Sequence, residues 1–178
     1  DLAGIQPNYN HDANLGEPGE LNLDSAGRIR LAISSGASQT LFAAIAGTDG
    51  KLADIFFSGT GSTSWTRLGA FGVAGGIPDI GGQANLHLSL TGDPLNPSFV
   101  YLAGTHSGAA PYAGAVYRGD TGTLKWTKLT ADTESDPGPI KTAPHADARN
   151  LAFAGNSNDL IATVDGGIYR LPNPRPSN

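Results

Sequence analysis

His145-Ala-Asp147 sets an imidazole and a carboxylate two residues apart. Such a pair can share a metal ion, act as an acid/base couple, or simply hydrogen-bond a strand end. Asp165 adds a second carboxylate just ahead of Gly166-Gly167, where an Asp also suits a tight turn. Glycoside hydrolysis needs two carboxyl groups across one cleft, and Asp147 with Asp165 is the pair this chain could offer. His106 and Tyr112 join them as candidate ligand-binding side chains. Asp132, Glu134 and Asp136 could hold calcium, but their loop is poor in further oxygen ligands, and a solvated acidic loop is the alternative.

These residues lie between short stretches that read as strands. Ile55-Phe-Phe-Ser-Gly-Thr-Gly-Ser-Thr-Ser-Trp65-Thr-Arg-Leu68 returns 61 residues later as Val116-Tyr-Arg-Gly-Asp-Thr-Gly-Thr-Leu-Lys-Trp126-Thr-Lys-Leu129. Each copy reads as a hairpin, with aromatic and β-branched residues running in and a Trp-led strand running out. Upstream, Ile29, Leu31 and Ile33 alternate, and residues 41–47 are apolar on both faces, as in a strand covered from both sides. Residues 29–48 align without a gap on residues 86–105, an offset of 57, so four extra residues are expected before the second hairpin. A third, partial copy spans residues 147–171, with strands at 150–154, 159–164 and 167–171, and stops at Pro172 where a fourth strand is due. No helical stretch is expected.

Four short strands recurring at this spacing predict an all-β chain, a β-propeller fragment of about three blades, over 28–68, 85–129 and 147–171. Residues 1–27 read as an N-terminal loop. A β-sandwich is the alternative, but it gives no reason for registered repeats. Both Trp65 and Trp126 are expected in outer-strand packing, with a sugar platform as the other use of such rings. In antiparallel blades the loops sort to two ends. Loops of equal length between copies gather at one end. The variable ones, 69–82, 106–113, 131–144 and 165–166, gather at the other, which should carry function. The polar candidates named above all fall there.

The 25 Gly and 12 Pro suit many turns, and a net charge of −5 without a Lys/Arg cluster argues against nucleic-acid binding. With no Cys there are no disulfides or thiolate metal sites, and no apolar run approaches the roughly 20 residues of a membrane span. The chain contains no Met, so it is expected to be a processed or excised segment.

The turns 58–65 and 119–126 resemble degenerate Asp-box (BNR) turns, of pattern roughly Ser-x-Asp-x-Gly-x-x-Trp. Ser58 and both tryptophans fit, whereas Thr60 and Thr121 hold the Asp position, and Ser62 and Thr123 the Gly position. The stretch from Pro97 through His145-Ala-Asp147 to Asp165-Gly-Gly-Ile-Tyr-Arg170 is similar to one in bacterial Asp-box proteins, where a second His often stands at the place of Arg149. The resemblance implies a sialidase-like, sortilin-like or xyloglucanase-like propeller. It also implies an exported protein, extracellular, periplasmic or at the cell surface. The leading expectation is a non-catalytic, carbohydrate-binding or scaffold module that engages a protein or glycan partner. The alternative is a fragment of a glycoside hydrolase. Because about four to eight blades close a ring, the rest of the propeller or a second copy is an expected partner.

Overall fold

The computed structural model describes residues 26–69, 76–106, 112–131, 142–155 and 157–176. They form three antiparallel sheets. Sheet 1 holds β1 (Ala26–Ser34), β2 (Thr40–Gly47), β3 (Leu52–Gly59) and β4 (Thr66–Arg67) in that order. A single helical turn, α1 (Ala84–His87), precedes sheet 2, made of β5 (Ser89–Gly92), β6 (Phe99–Ala103), β7 (Val116–Asp120) and β8 (Lys125–Lys128). Sheet 3 has three strands, β9 (Ala148–Phe153), β10 (Asp159–Val164) and β11 (Gly167–Pro172). The expected all-β class is the observed one.

Within sheet 1 the alternating side chains of β1 are half-buried on one face and exposed on the other, while β2 is buried from Phe42 to Gly47. The first strands of the sheets lie side by side, β1 along β5 and β5 along β9. This propeller-like arrangement brings backbones close. Ser35 N–H donates to the Asp93 carbonyl at 2.7 Å. At Gly92 even a methyl group would overlap the backbone of Ile33 and Ser34, so glycine is required for the approach. Between sheets 1 and 2, Phe42, Ile55 and Leu68 pack on Leu88, Val100, Leu102 and Trp126. Between sheets 2 and 3, Phe99, Tyr101 and Val116 pack on Leu151, Leu160 and Val164.

The hairpins that carry Trp65 and Trp126 share one register. Phe57 faces Thr66 as Arg118 faces Thr127, and the Leu68 and Leu129 N–H groups return to Ile55 and Val116. The strands ahead of them are displaced differently from the sequence alignment. Thr60 N–H donates to the Gln39 carbonyl and Thr121 N–H to that of Ser98, which makes the turns 61 residues apart (121 − 60) and the loops 59 (98 − 39). The offset of β1–β2 to β5–β6 is therefore 59, not 57. The second hairpin connection carries two extra residues (61 − 59) rather than four.

One further expectation is corrected. Residues 84–87 form a helical turn where the first strand of the second copy was expected. Here Leu88 N–H bonds the Ala84 carbonyl, and the Arg28 and Arg30 guanidinium groups take the carbonyls of Asn85, Leu86 and Leu88. These carbonyls are satisfied by side chains instead of a strand ladder. After β11 no fourth strand follows within residues 173–176. Instead Arg118 Nη1 donates to the Pro174 carbonyl at 2.8 Å, and Arg175 reaches sheet 2. No helix among the described residues is long and apolar enough to cross a membrane.

Candidate functional site

Four segments meet at the end of the sheets opposite Arg175. They are the link that ends in α1, the β6–β7 connection, the link into β9, and the β10–β11 turn. Backbone bonds sew them together. Thr105 N–H bonds the Ile80 carbonyl, Gly114 N–H the Pro144 carbonyl, and Asp147 N–H the Thr105 carbonyl at 2.7 Å. Ala84 N–H ties the first segment to the Gly50 carbonyl of the neighbouring β2–β3 turn. The Thr105 hydroxyl also accepts from Gln83 N–H. Two-residue turn chemistry finishes the end. Val164 pairs with Gly167, so Asp165 and Gly166 form the tip, and Gly166 leaves room for the His145 ring, which a Cβ there would strike.

Onto this frame fall His106, Tyr112, His145, Asp147 and Asp165. The rings of His106 and Tyr112 lie 4.4 Å apart between centroids at 34°. Tyr112 is exposed, and Ala113 beside it bridges to His145. Asp147 takes a left-handed backbone with φ of 65°, a conformation that Asp tolerates better than most residues. Its Oδ1 lies 3.4 Å from Nε2 of buried His87. Asp165 Oδ1 accepts from Arg149 Nε at 2.8 Å. The residues do not unite in one cleft with two uncommitted acids. Each carboxylate has a cation or imidazole beside it.

The electrostatics follow from that pairing. The hydrogen bond from Arg149 holds the Asp165 carboxyl below the usual range against an opposing desolvation, helped by the charge of Arg149 and by His87 and His145. Arg149 is in turn raised by Asp165, with Asp147 contributing. Carboxyl NMR of the folded protein should thus place Asp165 below the ordinary aspartate value of about 3.9, and Arg149→Ala should raise it toward that value. Because the folded value is depressed, the pairing supports stability above the unfolded pKa. That support is lost as pH falls through the folded value. An unchanged Asp165 titration in Arg149→Ala would contradict the pairing.

His87 and Arg149 were not among the candidates read from sequence. His87 lay inside a presumed strand, and its only signal was the Gly81-Gly82 break just before it. Nδ1 of His87 and of His106 are buried without a hydrogen-bond partner among the described residues. Among those residues no group of three or more His, Asp or Glu is arranged to hold a metal ion. Asp132, Glu134 and Asp136, the calcium candidates, lie outside the described residues. Compared with known proteins, the chain matches no family model and no curated protein.

Proposed function

We propose that this chain is a non-catalytic binding or scaffold module of an exported protein, built from Asp-box propeller repeats, and that it engages a protein or glycan partner through its variable loop end. The observation that carries this reading is the gathering there of His87, His106, His145 and half-buried Asp147 with exposed Tyr112, Arg149 and Asp165, on four loop segments held by the sheets. The exposed Tyr112 ring, backed by His106, offers an apolar face with a polar tip, which suits a sugar ring or an interface side chain. A binding role also fits the engaged carboxylates. A glycosidase acid must be held protonated by a raised pKa, whereas Asp165 is pulled the other way.

Binding of immobilised protein to a panel of xyloglucan and sialylated oligosaccharides tests this reading. Tyr112→Ala and His145→Ala are expected to weaken the bound glycan at least tenfold, while shuffling residues 35–39 at the opposite end leaves it unchanged. Binding that is lost on shuffling 35–39 and kept in Tyr112→Ala would place the functional face at the other end. Release of reducing sugar that disappears in Asp147→Asn and Asp165→Asn would replace the reading with a glycoside hydrolase.

A further inference from the structure

Sheet 1 has an outward face that meets no other described sheet. It carries Ile29, Leu31 and Ile33 from β1, Ala43 from β2, Phe56 from β3, and Trp65 just before β4. The displacements of 59 and 61 residues map these positions onto sheet 2. Ile29 corresponds to Leu88, Leu31 to Leu90, Ala43 to Leu102, Phe56 to Tyr117 and Trp65 to Trp126. Those sheet 2 residues are the side that packs against sheet 1.

The corresponding positions differ in what covers them. Leu88 is fully buried, whereas Ile29, Leu31 and Ile33 are 42%, 56% and 58% exposed, a continuous apolar row along the strand. Trp126 donates its indole N–H to the Leu68 carbonyl of the neighbouring sheet at 3.1 Å. Among the described residues Trp65 Nε1 has no such acceptor. The far side of the array is unlike this. Sheet 3 turns Asn150, Thr163 and Arg170 outward, with Ile161 and Ile168 between them. Beside the sheet 1 row, Arg67 pairs with Asp54 at 2.8 Å, a spot already neutralised within the sheet.

We propose that the outward face of sheet 1 docks a further four-stranded antiparallel sheet. Its contacting side would be apolar, like the Phe42, Ala44 and Ile55 side of sheet 1, and its last strand would end on a backbone carbonyl that accepts the Trp65 indole. The argument is continuity with an interface the chain already forms between sheets 1 and 2. It concerns the edge of the array and does not depend on what the loop end binds. A second copy offering its sheet 3 would bury Asn150, Thr163 and the largely exposed Arg170–Asp159 ion pair against the apolar row of sheet 1, a desolvation cost that an apolar sheet face would not carry. Residues 1–25 are too few to build the four strands that sheet 1 makes from residues 26–67.

Inserting a second copy of residues 26–82 between residues 25 and 26 of the full chain supplies such a sheet as the probe. In the extended chain, exchange of the Trp65 indole N–H is expected to slow at least tenfold, to the rate of Trp126. The Leu31 methyl groups should show Overhauser contacts to the added sheet, and Leu31→Glu should abolish both effects. Unchanged exchange and no contacts, whether because the added sheet stays apart or fails to order, would overturn the proposal. It would be overturned equally by either of two results on the unextended chain. One is a slow Trp65 indole that becomes fast when residues 1–25 are deleted. The other is a dimer in light scattering that Leu31→Glu converts to monomer.

Discussion

Replacing Arg175 by alanine is expected to lower the unfolding free energy by about 3–5 kcal/mol, because it strips the cation from a buried carboxylate. Asp93 has no exposed side-chain surface. Arg175 Nε reaches both of its oxygens, at 3.0 and 2.8 Å, and Nη2 adds a bond of 2.8 Å to Oδ1. The remaining contacts come from neutral donors, the Leu95 and Asn96 N–H groups and the Tyr101 hydroxyl. Burial first, and then the Asp93 charge, pushes the Tyr101 phenol well above its ordinary range, so it stays a donor at any physiological pH. The guanidinium also lies over the Phe153 ring at 4.8 Å and bonds the Asn158 side chain at 2.7 Å, tying residues 173–176 to both sheet 2 and sheet 3. Urea unfolding checks the figure. Arg175→Lys keeps the charge but not the two-pronged geometry, so it should fall between wild type and Arg175→Ala. A midpoint for Arg175→Ala within experimental error of wild type would show that Asp93 is neutralised by something other than Arg175.

This lock left no trace in the sequence. Asp93 and Arg175 are 82 residues apart, and neither belongs to a periodic pattern. Arg175 sits in a proline-rich tail that reads only as the end of a strand array. Local pattern carried much further for the strands. The alternation of Ile29, Leu31 and Ile33 and the double-sided apolar run after Thr40 mark β1 and β2, and β10 matches its expected bounds at 159–164. The displacement of 59 rather than 57 escaped because a shift of two residues keeps every side chain on its own face. Apolar positions then match almost equally well either way, and only the backbone bonds of Thr60 and Thr121 to the preceding loops decide between them. At the loop end the antiparallel sorting of loops placed His106, Tyr112, His145, Asp147 and Asp165 together. Their partners were illegible for a physical reason. His87 reaches Asp147 from a helical turn formed by tertiary contacts, and Arg149 looks like one more exposed strand residue until the two-residue turn brings Asp165 to it.

Trp126→Ala is expected to cost about 3–5 kcal/mol, the range for removing a large buried aromatic from a packed core. The indole is 8% exposed and belongs to the cluster that joins sheets 1 and 2. Sheet 2 is shaped around it. A Cβ at Gly119 would come within 2.8 Å of both the Trp126 ring and the Leu68 side chain, so the strand that faces Trp126 has no room for a larger residue. Alanine would open a cavity between two sheets, whose positions are already fixed by β1 against β5, and the walls could collapse only in part. It would also leave the Leu68 carbonyl without the indole donor at 3.1 Å. Trp126→Phe separates the two effects, since it keeps most of the apolar contact and loses the hydrogen bond, worth about 1 kcal/mol on its own. Thermal and urea unfolding of the two variants should therefore differ, with the alanine variant much the weaker. Equal losses for Phe and Ala would mean that the hydrogen bond, not the packed ring, joins the sheets. A loss under about 1 kcal/mol for Trp126→Ala, small beside the usual cost of a core aromatic, would mean that the core between sheets 1 and 2 does not depend on this ring.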